Sequence, residues 1–220
     1  MGILPKESMC LWQEQRELPY TNAMTALLER PEKKSEAQPV TPQGLRFARI
    51  TLEMYDTLIA AGKITNESRV ELLDGYIVRK EDMNTPHMNR VKDLYDLLKP
   101  KFQGRADVYQ ESAIELPTDG RPQPDIALIV QNAARNNFAQ PESIYLIIEV
   151  AETTINTDRD HKQRLYARDG IPEYWILNLN TNELEVYRKP NSERYTSSFT
   201  LSAGETTACL AFPDDQIDWA

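Results

Sequence analysis

The sequence predicts an α/β domain, and three observations carry that reading. Two short runs, PDIALIV and SIYLIIEV, are apolar on both faces, as central strands of a covered sheet are. Segments around them repeat apolar residues at helical spacing. Asp74-Gly75 joins two alternating stretches as a two-residue hairpin turn, because both of its positions need positive φ. At 220 residues the chain has room for one such domain with a substantial core, plus some extra sequence.

The extra sequence lies at the start. RPEKKSEAQPVTPQG, residues 30–44, mixes charge with three prolines and offers little to bury. Residues 1–45 are therefore expected to form an N-terminal extension and flexible linker, and residues 46–220 the domain. MTALLER, from Met24, suits a short helix or an alternative start of translation.

The elements follow in order. ITLEMYDTLIAAG places Leu52, Tyr55, Leu58 and Ile59 on one helical face, with Thr51 as N-cap and Gly62 as the C-terminal glycine. RVELLDGYIVRK is the hairpin, which puts Glu71 on a strand. HMNRVKDLYDLLKPKF spaces Val91, Leu94, Tyr95 and Leu98 helically up to Pro100, which cannot continue the ladder without a kink; His87 falls near this helix's start. ADVYQESAIEL, PDIALIV and SIYLIIEV supply the core sheet. TDRDHKQRLYARDG is a helix with Leu165 and Tyr166 inward and Gly170 as its stop, and PEYWILNLNTNELEVYR is a hairpin turning at residues 180–182.

Composition excludes several functions. Hydrophobic content of 40% with 27% charged residues is globular, and no apolar stretch is long enough to cross a bilayer. The start MGILPKESMCLW lacks the apolar core and cleavage site of a secretory leader, so a cytoplasmic protein is expected. Cys10 and Cys209 are too far apart in sequence for a CxxC metal pair and read as unpaired thiols. A net charge of -9 argues against a protein whose main task is coating nucleic acid. Net charge does not describe a local groove, however, and a metal held by carboxylates supplies positive charge where the sum shows none.

Asp125 and Glu149 interrupt the two apolar runs, and burying an ionised carboxylate without a partner costs several kcal/mol or more. Taken singly, Asp125 could cap a turn after Pro124, and Glu149 could pair with an arginine. Taken together on adjacent strands, with Glu71 from the hairpin as a third, they could hold a divalent cation. Lys162, on the helix after the Glu149 strand, could return to the same end of the sheet and orient or deprotonate a water. Such a cluster suits phosphodiester hydrolysis. The competing reading of Lys162 is an i,i+4 ion pair with Asp158 on an exposed helix face. Arg159, Arg164 and Arg168 read as a solvated face or, more boldly, as phosphate contacts.

VELLDGYIV, PHMNRV, QPDIALIV, LIIEVAETT and DRDHKQRLYARDGIPEYWILN, from residue 50 to about 187, resemble the Uma-two family of endonuclease-like proteins in order and spacing. That family is a branch of the PD-(D/E)XK restriction-endonuclease-like superfamily. The resemblance implies a mixed central β-sheet flanked by helices, Asp125 and Glu149 as metal-binding acids, and Glu71 at the family's early acidic position. The superfamily's lysine two places after the glutamate is Ala151 here, and Lys162 is implied to stand in for it. His87 resembles the histidine before the helix. His87, Gln110 and Asp158 are the expected neighbours of the site.

The resulting expectation is an Mg²⁺- or Mn²⁺-dependent endonuclease acting on DNA, with Glu71, Asp125, Glu149 and Lys162 as its site. A homodimer through an exposed strand edge is compatible with it. The rivals are a nuclease fold without useful catalysis that serves as an interaction component, and a metal-dependent hydrolase of RNA or nucleotides.

Overall fold

A computed structural model describes residues 47–81, 83–135 and 137–220. The expected extension, with Cys10 and Met24, lies outside the described residues, and Ala48–Ala220 form one compact unit. Helix α1, Leu52–Ala60, starts where the Thr51 side chain accepts a hydrogen bond from the Met54 amide and ends before Gly62 at φ 65. Strands β1, Val70–Leu73, and β2, Tyr76–Arg79, turn at Asp74 and Gly75, both at positive φ. This hairpin is a separate two-stranded sheet, tied to the rest by Leu72 and Arg121 backbone bonds of 3.4 and 2.7 Å.

Helix α2, Thr85–Phe102, is capped by the Asn84 side chain, which accepts from the His87 amide at 3.0 Å. Six strands follow: β3 Ala106–Gln110, β4 Ile126–Val130, β5 Ile144–Ala151, β6 Glu173–Asn178, β7 Glu183–Pro190 and β8 Tyr195–Ser202. They form one sheet in sequence order, with β5 and β6 parallel and the other pairs antiparallel. A parallel pair needs a crossover, and helix α3, residues 155–168, supplies it. It comprises Ile155–Thr157, a π-helical turn Asp158–Lys162, and Gln163–Arg168.

Each face of the sheet carries its own core, which explains why β4 and β5 are apolar on both sides. Ile126, Leu128, Leu146, Ile148 and Val150 meet Val91, Leu94, Leu98 and Phe102 of α2. Ala127, Ile129, Ile147 and Ala151 meet Leu165, Tyr166 and Ala167 of α3. By this alternation Asp125 and Glu149 belong to the α3 face, and the β4–β5 register, Ile126 opposite Ile148 and Ala127 opposite Ile147, extends to set Asp125 opposite Glu149.

Three local expectations are corrected. Ile59 does not join the buried face of α1, being 41% exposed while Tyr55 is buried. ADVYQESAIEL is a strand only to Gln110; Ile114 and Leu116 beyond it make isolated bridges. Helix α2 runs through Pro100 to Phe102. A proline inside a helix costs about 3 kcal/mol, but Leu98 and Phe102 are fully buried against the sheet, and each such burial returns about 1.5–3 kcal/mol. Among the described residues no helix is long and apolar enough to cross a membrane.

Candidate functional site

A cleft of about 170 Å³ opens where the hairpin, the start of α2, the ends of β4 and β5, and the π-helical turn meet. Glu71, Asp125, Glu149, Asp158, Lys162 and His87 all line it. A larger hollow of about 810 Å³ beside β3 and β4 contains none of them.

Glu71, Asp125, Glu149 and Asp158 are buried, and each is held differently. Glu71, on β1, accepts from the Gln123 amide at 3.1 Å through Oε2. Asp125 accepts from the Val150 amide at 2.7 Å through Oδ2, while its Oδ1 lies 3.3 Å from His87 Nε2. Glu149 Oε1 accepts from the Tyr166 hydroxyl at 2.9 Å. Asp158 Oδ2 accepts from the Thr154 hydroxyl at 2.7 Å, and its Oδ1 is buried with no hydrogen-bond partner.

Lys162 stands among these acids. Its Nζ lies 3.0 Å from Glu149 Oε1, 3.6 Å from Asp158 Oδ1 and 3.8 Å from Glu71 Oε1. The i,i+4 pair with Asp158 therefore exists, but it is buried and shared with two other carboxylates. Residues four apart share one helix face, so Asp158 and Lys162 are buried together, and a π-helical turn spans the two of them. His161, between them in register, is exposed.

The electrostatics follow from burial and proximity. Burial raises the Glu149 carboxyl to about 8; Lys162 pulls it back, while Asp125, Asp158 and Glu71 push it further up. Asp158 is also raised, chiefly by burial. Burial pushes Asp125 up too, but the hydrogen bond and charge of His87, with Lys162, outweigh it and hold Asp125 below its ordinary value. Burial works against charge on His87 and Lys162, yet the acids win in both cases: His87 is raised, chiefly by Asp125, and Lys162 is raised well above the usual lysine range. Lys162 is thus a fixed cation, and four carboxylates share its charge.

The donors suit a hard divalent cation in kind and number. They are carboxylate oxygens from four buried acids, and one of them, Asp158 Oδ1, accepts no hydrogen bond and has only the Lys162 ammonium, 3.6 Å away, as an ion-pair partner. Among the described residues, however, no group of three His, Cys, Asp or Glu converges closely enough to hold an ion as the side chains stand.

Gln110, expected nearby, does not line the cleft. Gln123 does, bridging Glu71 and the Lys80 ammonium, 3.0 Å from its Oε1. Its position two places before Asp125 was the available signal. Arg159 pairs with Glu185 and Arg168 with Asp74, so both are engaged in ion pairs on the protein itself. The rim is mixed, with Arg79 and Lys80 beside Glu81 and Glu152.

Two comparisons with known proteins place the chain, by fold and by family. The crystal structure of “a putative nuclease belonging to DUF820” from Anabaena variabilis ATCC 29413 is similar, with a TM-score of 0.62 and 16% identity. The match covers 77% of this chain and 97% of that one, which shows a shared fold. Among curated proteins, none matches. The family model Uma2, described as “Putative restriction endonuclease”, matches residues 52–220, so the chain belongs to the Uma2 family.

Proposed function

We propose that this protein is a divalent-metal-dependent endonuclease that hydrolyses DNA phosphodiester bonds at the cleft of Glu71, Asp125, Glu149 and Lys162. One observation carries the reading: Glu71, Glu149 and Asp158 lie 3.0–3.8 Å from the buried Lys162 with Asp125 on the same cleft, so four buried acids share two cations, Lys162 and His87. Family membership supports the reaction class.

Asp125, Glu149 and Glu71 would hold the cation, Mg²⁺ or Mn²⁺, which when bound polarises a phosphoryl oxygen and lowers the pKa of water. Lys162 is held cationic, so it donates to a water or a phosphate oxygen and neutralises charge there; it does not act as the base. His87 stays on Asp125 and fixes that carboxylate's orientation.

The test is cleavage of supercoiled plasmid with added Mn²⁺ by the full chain, alongside Asp125→Ala and Lys162→Ala. Wild type should nick the plasmid, and both variants should lose at least a hundredfold in rate; equal cutting by wild type and Asp125→Ala would overturn the reading. The mixed rim and the net charge of -9 favour, as the second reading, a nuclease fold kept as an interaction component. Intact plasmid with no Mn²⁺ heat by calorimetry selects it, and an RNA substrate in the same assay separates the nucleic acid classes.

A further inference from the structure

Asp158, Lys162 and Tyr166 follow one another at four-residue intervals along α3, and all three are buried against β5. The Tyr166 hydroxyl donates to Glu149 Oε1 at 2.9 Å, and the Lys162 ammonium lies 3.0 Å from that same oxygen. Both contacts fall on Oε1, so the other oxygen of Glu149 is the one left to the cleft. The Tyr166 ring is itself fixed, edge-on to Tyr174 with centroids 5.1 Å apart. A phenol on a locked ring has one direction in which to donate, whereas the flexible lysine stem does not define one.

We infer that Tyr166 is a positioning residue of the cation site, which clamps Glu149 so that its second oxygen faces the cleft. This rests on the metal-dependent reading above. A donor beyond the ligands that orients a ligating carboxylate is commonly worth 10–100-fold in metal affinity. A tyrosine kept only for packing would be replaceable by phenylalanine at no cost to that affinity.

Mn²⁺ titration calorimetry on the full-length wild type, Tyr166→Phe and Tyr195→Phe tests this. Tyr195 is the control: its hydroxyl is also buried, but it donates to the Ile171 carbonyl at 2.9 Å, away from the cleft. The expected result is a Kd for Mn²⁺ at least tenfold weaker in Tyr166→Phe alone, with near-ultraviolet circular dichroism unchanged, and plasmid cleavage that recovers as Mn²⁺ is raised. If wild type binds Mn²⁺ and Tyr166→Phe binds it equally well, the inference fails and the nuclease reading stands. If wild type binds none, both fail. Loss of the folded spectrum in Tyr166→Phe but not in Tyr195→Phe would assign Tyr166 to stability and overturn the positioning role.

Discussion

Replacing Glu149 by glutamine should change how the metal-free protein's stability depends on pH. In the folded protein burial raises this carboxyl to about 8; in an unfolded chain a glutamate titrates near 4.3, at about 1.4 kcal/mol per unit of difference. The folded pKa is the higher one, so Glu149's contribution is complete below about pH 4 and is lost as pH rises through 8. Between pH 5 and 8 that loss sums to ~4 kcal/mol, or roughly 8–16 °C of melting temperature in a domain of this size. Glutamine keeps the shape and binds no proton, so the variant should lack this slope. His87 and Asp158 are also raised and slope the same way, but both are present in the two proteins and drop out of the difference to first order. Asp125 is lowered, so its contribution is lost only as pH falls below the ordinary carboxylate range, outside the window. Thermal melts in a chelator at pH 5, 6, 7 and 8 read the effect. Parallel curves for the two proteins would refute the claim that Glu149 holds a proton near neutrality.

Further outcomes follow from the same geometry. Lys162→Met removes the cation shared by Glu149, Asp158 and Glu71 and should cost about 3–5 kcal/mol at pH 8, with part of the loss recovered at pH 5; denaturant melts check it. Glu173→Ala strips Arg188, the Trp175 indole and the Leu210 amide of their acceptor and should also cost about 3–5 kcal/mol, but leave the Mn²⁺ Kd unchanged by calorimetry. Gly75→Ala would put a Cβ 2.9 Å from Arg49 Cβ at a φ of +78, and urea unfolding should show at least about 1 kcal/mol lost.

The parts of this structure legible in the sequence are those where one residue has one physical use. Asp74-Gly75 and Gly170 mark turns because their positive φ suits few other residues. Asp125 and Glu149 stand out because a charge inside a run of Ile, Leu and Val needs compensation, and their placement on one face follows from strand alternation once the register is known. What was not legible depends on small energy differences or on geometry without a residue signature. The π-helical turn has no residue signature, and the burial of Lys162 among Glu71, Glu149 and Asp158 depends on how α3 docks on the sheet, which local periodicity does not state. Ile59 fits the apolar face of α1 by spacing, but Tyr55 is the buried residue of that helix and Ile59 stays 41% exposed at its end. Gln110 and Gln123 could each have faced the site; the β3–β4 connection, which sequence does not specify, sends Gln123 there.

Burial of acids alone does not mark a functional site, and this molecule contains its own comparison. Glu173 is fully buried in β6, as inaccessible as Glu149 in β5. Both Glu173 oxygens have donors: Oε1 takes the Trp175 indole and Arg188, each at 2.8 Å, and Oε2 the Leu210 amide at 2.6 Å. That is a closed account of charge and hydrogen bonds, and it stitches β6, β7 and the chain after β8 together. The cleft acids are different in kind. The four buried acids outnumber Lys162 and His87, Asp158 Oδ1 accepts no hydrogen bond, and burial pushes the Glu149 carboxyl up to about 8. A purely structural cluster would gain stability by exchanging one acid for an apolar side chain. On the proposed reading a divalent cation would complete that set, whereas Glu173 needs nothing further.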